Sequence, residues 1–243
     1  MLDIRRGAFD SYRANERPMP YIEFRSARSE RPQPLFFVGG FTLTMLAGAI
    51  NVAMLSYYAV PVSHMSGAVS RLSMDLGTQR YADLATIAFI IGGFALGCVF
   101  TGALVSTSAL VSRRRYALVL ACEAAVLALA AVLQGNAANV SVILGAAACG
   151  IQNAMASSYY GLVVRTTHVT GIITDLGFML GACLTGQRFV WWKVLLLVML
   201  VAGYLTGGIA AAVLTPLAPG LMLWCCCVFA AAIAIGCLFL HRE

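Results

Sequence analysis

Charge is scarce in this chain. Only 11% of its 243 residues are Asp, Glu, Lys or Arg, whereas 60% are hydrophobic. A soluble domain carries about 25% charged residues, so the ordinary soluble classes are excluded. Histidine is rarer still, with three in all: His64, His168 and His241. The chain has no Cys-x-x-Cys pair, no metal-ligand spacing, no phosphate-binding glycine loop and no nucleophile with an evident base. The expectation is therefore no metal, no cofactor and no enzymatic reaction. The eight cysteines read as small core residues. Even the adjacent Cys225, Cys226 and Cys227 would point about 100° apart on a helix and could not clasp one metal from one face.

A recognisable signal peptide is also lacking at the start. Residues 1–34 are polar, contain Pro18, Pro20, Pro32 and Pro34, and carry seven arginines (5, 6, 13, 17, 25, 28 and 31). They read as a flexible tail that stays in the cytoplasm. The formal net charge of +6 fits topology and contact with anionic lipid, and no nucleic-acid partner is expected.

Apolar stretches long enough to cross the hydrocarbon, about 20 helical residues each, recur along the rest of the chain. Six are read, over residues 35–58, 82–106, 116–134, 140–164, 190–214 and 219–240. Short loops that hold Lys or Arg remain inside. The tail, Arg113-Arg114-Arg115, Arg188, Lys193 and Arg242 then lie on the cytoplasmic side, and the links at 134–139 and 215–220 lie outside. Two leftover segments, 61–81 and 165–188, are too polar for simple spans. If both crossed fully, the triple arginine would face outside, so they are expected to be re-entrant or broken helices entering from opposite sides, with a surface-lying amphipathic helix as the alternative.

An internal repeat is the most informative feature. Gly48-Ala-Ile-Asn51, followed by Ser56-Tyr57-Tyr58, matches Gly150-Ile-Gln-Asn153, followed by Ser158-Tyr159-Tyr160, at an offset of 102. His64-Met-Ser66-Gly67 through Arg71-Leu72 matches His168-Val-Thr170-Gly171 through Asp175-Leu176 at an offset of 104. A weaker match pairs Gly93-Phe94-x-x-Gly97 with Gly203-Tyr204-x-x-Gly207, both small-xxx-small helix contacts. Three full spans per half is an odd number, so the second half must enter the membrane in the opposite direction. The fold class expected is all-α integral membrane: two inverted three-helix repeats, 35–134 and 140–240, each with a re-entrant or broken-helix segment.

The combination Gly48-Ala-Ile-Asn51, Ser63-His64-Met65-Ser66-Gly67, Gly150-Ile-Gln-Asn153 and Arg165-Thr-Thr-His168-Val-Thr170-Gly171 through Asp175-Leu-Gly177 resembles the YoaK-like bacterial membrane proteins, grouped as a domain of unknown function, over roughly residues 35–240. The resemblance implies a multi-spanning membrane protein with a transport role and brings no assigned substrate or catalytic residues.

Inverted repeats place a binding site near the midplane, often at the amino ends of short helices. Ser66-Gly67 and Thr170-Gly171 suit such ends, because Ser or Thr caps a helix, Gly permits close backbone approach and the helix dipole favours an anion. His64 and His168 are the titratable candidates beside them, with a structural role as the alternative. Asn51 and Asn153, deep in apolar spans, either bind solute or join helices by hydrogen bonds. Tyr58 and Tyr160 are candidate gates or interfacial belt residues. Arg71 and Asp175, of opposite charge at one repeat position, suggest a bridge between the two segments; the alternative is a local pair of Arg71 with Asp75. Glu123 lies eight residues beyond Arg115, roughly 12 Å into the membrane, where an acid is a candidate coupling group or a hydrogen-bond partner for a neighbouring helix. The function expected is a transporter or facilitator for a small polar or anionic solute in the bacterial inner membrane. A passive channel and a non-transporting scaffold are the alternatives, and a homo-oligomer remains open.

Overall fold

In hydrocarbon a chain can satisfy its own backbone polar groups as a helix, and six long apolar segments here do so. The computed structural model describes residues 34–79, 81, 84–105, 113–157, 166–186, 191–218 and 220–239. Its membrane-length helices are α1 (Pro34–Tyr58), α3 (Leu84–Val105), α4 (Arg113–Leu133), α5 (Ala138–Ser157), α7 (Trp191–Leu217) and α8 (Leu221–Phe239). All six are long and apolar enough to cross a bilayer. Two shorter helices, α2 (Met65–Gly77) and α6 (Val169–Leu184), fall in the two segments expected to be too polar to cross. No strand occurs among the described residues. The tail over 1–33 and the last part of the expected fourth span, residues 158–164, lie outside the described residues.

Hydrogen bonds fix the directions of five of the six long helices. At the end of α1, the Tyr58 hydroxyl donates to the Gln134 carbonyl, 3.4 Å away, just past α4. The Gly220 N–H, between α7 and α8, donates to the Tyr57 hydroxyl at 2.6 Å. Gly220 has a φ of +89°, a conformation glycine adopts without steric cost. These bonds gather the ends of α1, α4 and α7 with the starts of α5 and α8 at one end of the bundle, the tyrosine end. Arg114, Arg115 and Lys193 mark the opposite, basic end.

Glycines let the helices approach backbone to backbone. A Cβ at Gly48 of α1 would strike the Tyr204 carbonyl of α7, and one at Gly150 of α5 would strike the Phe94 carbonyl of α3. Gly203 and Gly207 of α7 abut the Phe41 and Met45 carbonyls of α1, while Gly93 and Gly97 of α3 abut the Ile143 and Ala147 carbonyls of α5. The residues in these two sets correspond one to one at the offsets of the sequence repeat. Both pairs, α1 with α7 and α3 with α5, run parallel. Across the middle, α1 and α5 run antiparallel: the Gln152 amide donates to the Leu43 carbonyl at 3.0 Å, and Gly145 abuts the Met54 side chain.

The core draws Ile50, Met54, Leu127, Ala146, Cys149, Leu223 and Cys226 together from α1, α4, α5 and α8. Expecting all eight cysteines in the core needs correction. Cys149 and Cys226 are buried, whereas Cys183 and Cys225 are exposed, because their helix faces point away from the neighbours. Among the described residues, no group of His, Cys, Asp and Glu could hold a metal ion.

Candidate functional site

After Tyr58 the chain turns sharply, with Ala59 at a φ of 54°, and folds back along α1. That left-handed conformation costs a non-glycine residue roughly 1 kcal/mol, a cost offset by the burial of Val62 and the bonds of Ser63. Val62 is buried in the core, and Ser63 is anchored twice to Asn51: its N–H donates to Oδ1 at 3.2 Å and its hydroxyl at 2.8 Å. Asn51 lies seven residues before the end of α1, roughly 10 Å back along the helix at 1.5 Å per residue. The loop therefore re-enters the bundle before α2 begins.

The second half forms the equivalent anchor. Thr167, which corresponds to Ser63, donates its hydroxyl hydrogen to Asn153 Oδ1 at 3.3 Å, four residues before the last described residue of α5. Each asparagine side chain thus bonds the residue that stands just before the N-cap of a short helix.

Sequence reasoning places the helix caps on Ser66 and Thr170. The N-cap residues are instead His64 and His168, so Ser66, Gly67, Thr170 and Gly171 fall in the first turns of α2 and α6. The two histidines then diverge. His168 is exposed, and its Nδ1 accepts from the Gly171 N–H at 3.1 Å; a Cβ at Gly171 would strike that ring. His64 is half-buried and makes no cap bond. Its Nε2 lies 3.2 Å from the Tyr204 hydroxyl, and Ser63 and Asn51 stand beside the same hydroxyl. Burial pushes the His64 pKa below its ordinary value, because an imidazolium there loses hydration. The residue equivalent to Tyr204 is Phe94, which has no hydroxyl to offer a histidine.

His64 and His168 do not meet. They enter from opposite ends of the bundle, and α2 packs on α3 while α6 packs on α7. The Arg71–Asp175 bridge is likewise not formed, since the segments that carry it do not touch. Arg71 Nε pairs with Asp75 one turn along, at 3.2 Å, and Asp175 is exposed. Tyr58 ties helix ends together, as above, and Tyr160 lies outside the described residues.

Glu123 is fully buried at the middle of α4, and neither carboxyl oxygen has a hydrogen-bond partner among the described residues. The buried Cys149 thiol of α5 feels the charge state of both Glu123 and Tyr204. Glu123 and Tyr204 are the middle residues of α4 and α7, so these groups form a layer halfway through the bundle. Tyr204 is the member that sequence reasoning missed. Its only signal was the match of Gly203-Tyr204 with Gly93-Phe94.

A cavity of about 240 Å³ opens at the basic end, lined by residues including Leu43, Leu120, Met155 and Leu200. Its lining is nearly all apolar, which suits a lipid chain better than a polar solute.

A family model described as "Protein of unknown function (DUF1275)" matches residues 39–236. No curated protein and no solved structure matches the chain.

Proposed function

The chain belongs to the DUF1275 family, and on that premise we propose that it is a secondary transporter or facilitator for a small polar or anionic solute. Its two halves, 35–134 and 140–240, are read as inverted repeats. The observation that carries this reading is the matched pair of anchors, Asn51 holding Ser63 and Asn153 holding Thr167 just before the short helices, in halves whose leading helices run antiparallel. The paired glycine contacts support the same relation. Such anchors bring polar groups and helix amino ends to membrane depth, where an anion finds unshielded N–H donors.

The first loop is the better solute site. Ser63, His64 and Tyr204 converge there, whereas His168 is engaged in capping its own helix. The tyrosine bonds closing one end favour a gated carrier over a passive channel. With Arg114 and Lys193 inside, the tyrosine end faces outward from a bacterial inner membrane, and both termini are cytoplasmic. The partners are then the lipid bilayer and the solute.

The test is a thermal-shift panel of the purified protein against inorganic phosphate, nitrate, sulfate and small carboxylates. A ligand that binds only the native state raises the unfolding temperature. The expected result is stabilisation by one class, lost in Tyr204→Phe or His64→Gln. No stabilisation by any member, or the same stabilisation in both variants, contradicts the assigned site.

A further inference from the structure

Glu123 is the only glutamate between residues 31 and 242. It sits at the midpoint of α4 with no exposed surface and, among the described residues, no hydrogen-bond partner for either oxygen. An ionised carboxylate in such a place would lose its hydration with nothing in return. The neutral acid loses far less, so the geometry holds a proton on Glu123. A structural acid would be expected to donate to a carbonyl or hydroxyl, and Glu123 does neither.

The groups that face it set the electrostatics. Cys149 on α5 and Cys226 on α8 are its titratable neighbours. The third helix packed on α4, α3, contributes only Cys98, whose thiol hydrogen-bonds the Gly150 carbonyl. No salt bridge to Glu123 forms among the described residues. Cys149 interacts electrostatically both with Glu123 and with Tyr204, the middle residue of α7. Tyr204 in turn meets the half-buried His64 at 3.2 Å, on the loop that re-enters from the tyrosine end. A proton reaching His64 from water therefore has the Tyr204 hydroxyl next in line.

We propose that Glu123 is a proton-binding site at the membrane midplane, with His64 and Tyr204 as its entry, and that it couples solute movement to protons. Only the coupling rests on the transport reading; the proton site does not. In one conformation Glu123 is a dry neutral acid, as here. In the other, opening of the re-entrant loop lets water reach it, and it gives up its proton to that side.

Infrared spectroscopy of the full chain in liposomes tests this without a known solute. At pH 7 exposed carboxyls are ionised, so a protonated-carboxyl carbonyl band reports the buried acid. Carbon-13 labelling of glutamate assigns the band without altering the fold, and Glu123→Gln should remove it. On transfer to heavy water the band should shift as the site exchanges. That exchange should be slower by at least about tenfold in Tyr204→Phe and His64→Gln, while the band itself remains. Absence of a labelled band at pH 7 overturns the proton site, and a band that never exchanges makes Glu123 a sealed structural acid. Exchange at the wild-type rate in both variants overturns the entry. If the band behaves as expected but no solute moves, the transport reading fails and the proton site stands.

Discussion

Gly207→Ala should weaken the protein while Gly92→Ala should not, although both place the same methyl group in the middle of a membrane-spanning helix. A Cβ at Gly207 would overlap the Met45 carbonyl oxygen and lie 2.7 Å from the carbonyl carbon, whereas a Cβ at Gly92 meets nothing within 4 Å. Backbone cannot swing aside as a flexible side chain would, so α1 and α7 must separate and lose contact along the whole interface. Overpacking of this kind costs about 2 kcal/mol. The gain in helix propensity, about 1 kcal/mol for Gly to Ala, is shared by both substitutions and cancels in the comparison. Unfolding by denaturant in mixed micelles should therefore separate the two variants by about 2 kcal/mol. Gly97→Ala, at the corresponding contact with Ala147, should cost as much as Gly207→Ala. Equal stability of Gly207→Ala and Gly92→Ala would refute the close backbone packing of α1 on α7.

Asn51→Ala removes the acceptor of two bonds from buried Ser63 and should cost about 2–3 kcal/mol, against about 1 kcal/mol for Asn153→Ala, which loses one longer bond; equal losses would contradict the stronger first anchor. His64 has a folded pKa below its ordinary 6.5, so below that pH the unfolded chain binds the extra proton more readily. Stability should fall as pH drops from 6.5 through the folded value, and His64→Gln should flatten that slope in a thermal-unfolding series. Reporter fusions after Gln134 and after Leu217 should read outside and one after Arg114 inside; a cytoplasmic reading at Gln134 would reverse the proposed orientation.

Hydropathy was enough to read six membrane-length helices, because a span has to fill a fixed thickness with apolar side chains. The repeat could be read for a similar reason: Gly48 and Gly150, or Asn51 and Asn153, meet the same packing demand in each half, and few residue types meet it. What could not be read was how far each half departs from its twin. His64 and His168 look alike in sequence, yet one finds a tyrosine hydroxyl 140 residues away and the other finds its own helix end. Tyr204, which supplies that hydroxyl, stands where the other half has Phe94, a ring without one. The Arg71–Asp175 expectation failed because a local partner costs little chain entropy, and Asp75 stands one turn from Arg71. The caps fell on the histidines rather than on Ser66 and Thr170 because the anchors at Ser63 and Thr167 fix where each loop ends and its helix begins. Glu123 could be placed inside the membrane by counting residues from Arg115, but its want of any partner depends on how α5 and α8 pack around it.

Solute uptake into proteoliposomes tests the transport reading most directly. The anion that most raises the unfolding temperature would be supplied as tracer, with an inward proton gradient imposed across the vesicle membrane. Uptake should saturate with concentration, change with the gradient, and collapse in both Tyr204→Phe and Glu123→Gln while those variants remain folded. A flux that rises linearly with concentration and ignores the gradient, or that survives in both variants, would contradict a proton-coupled carrier built around this midplane layer.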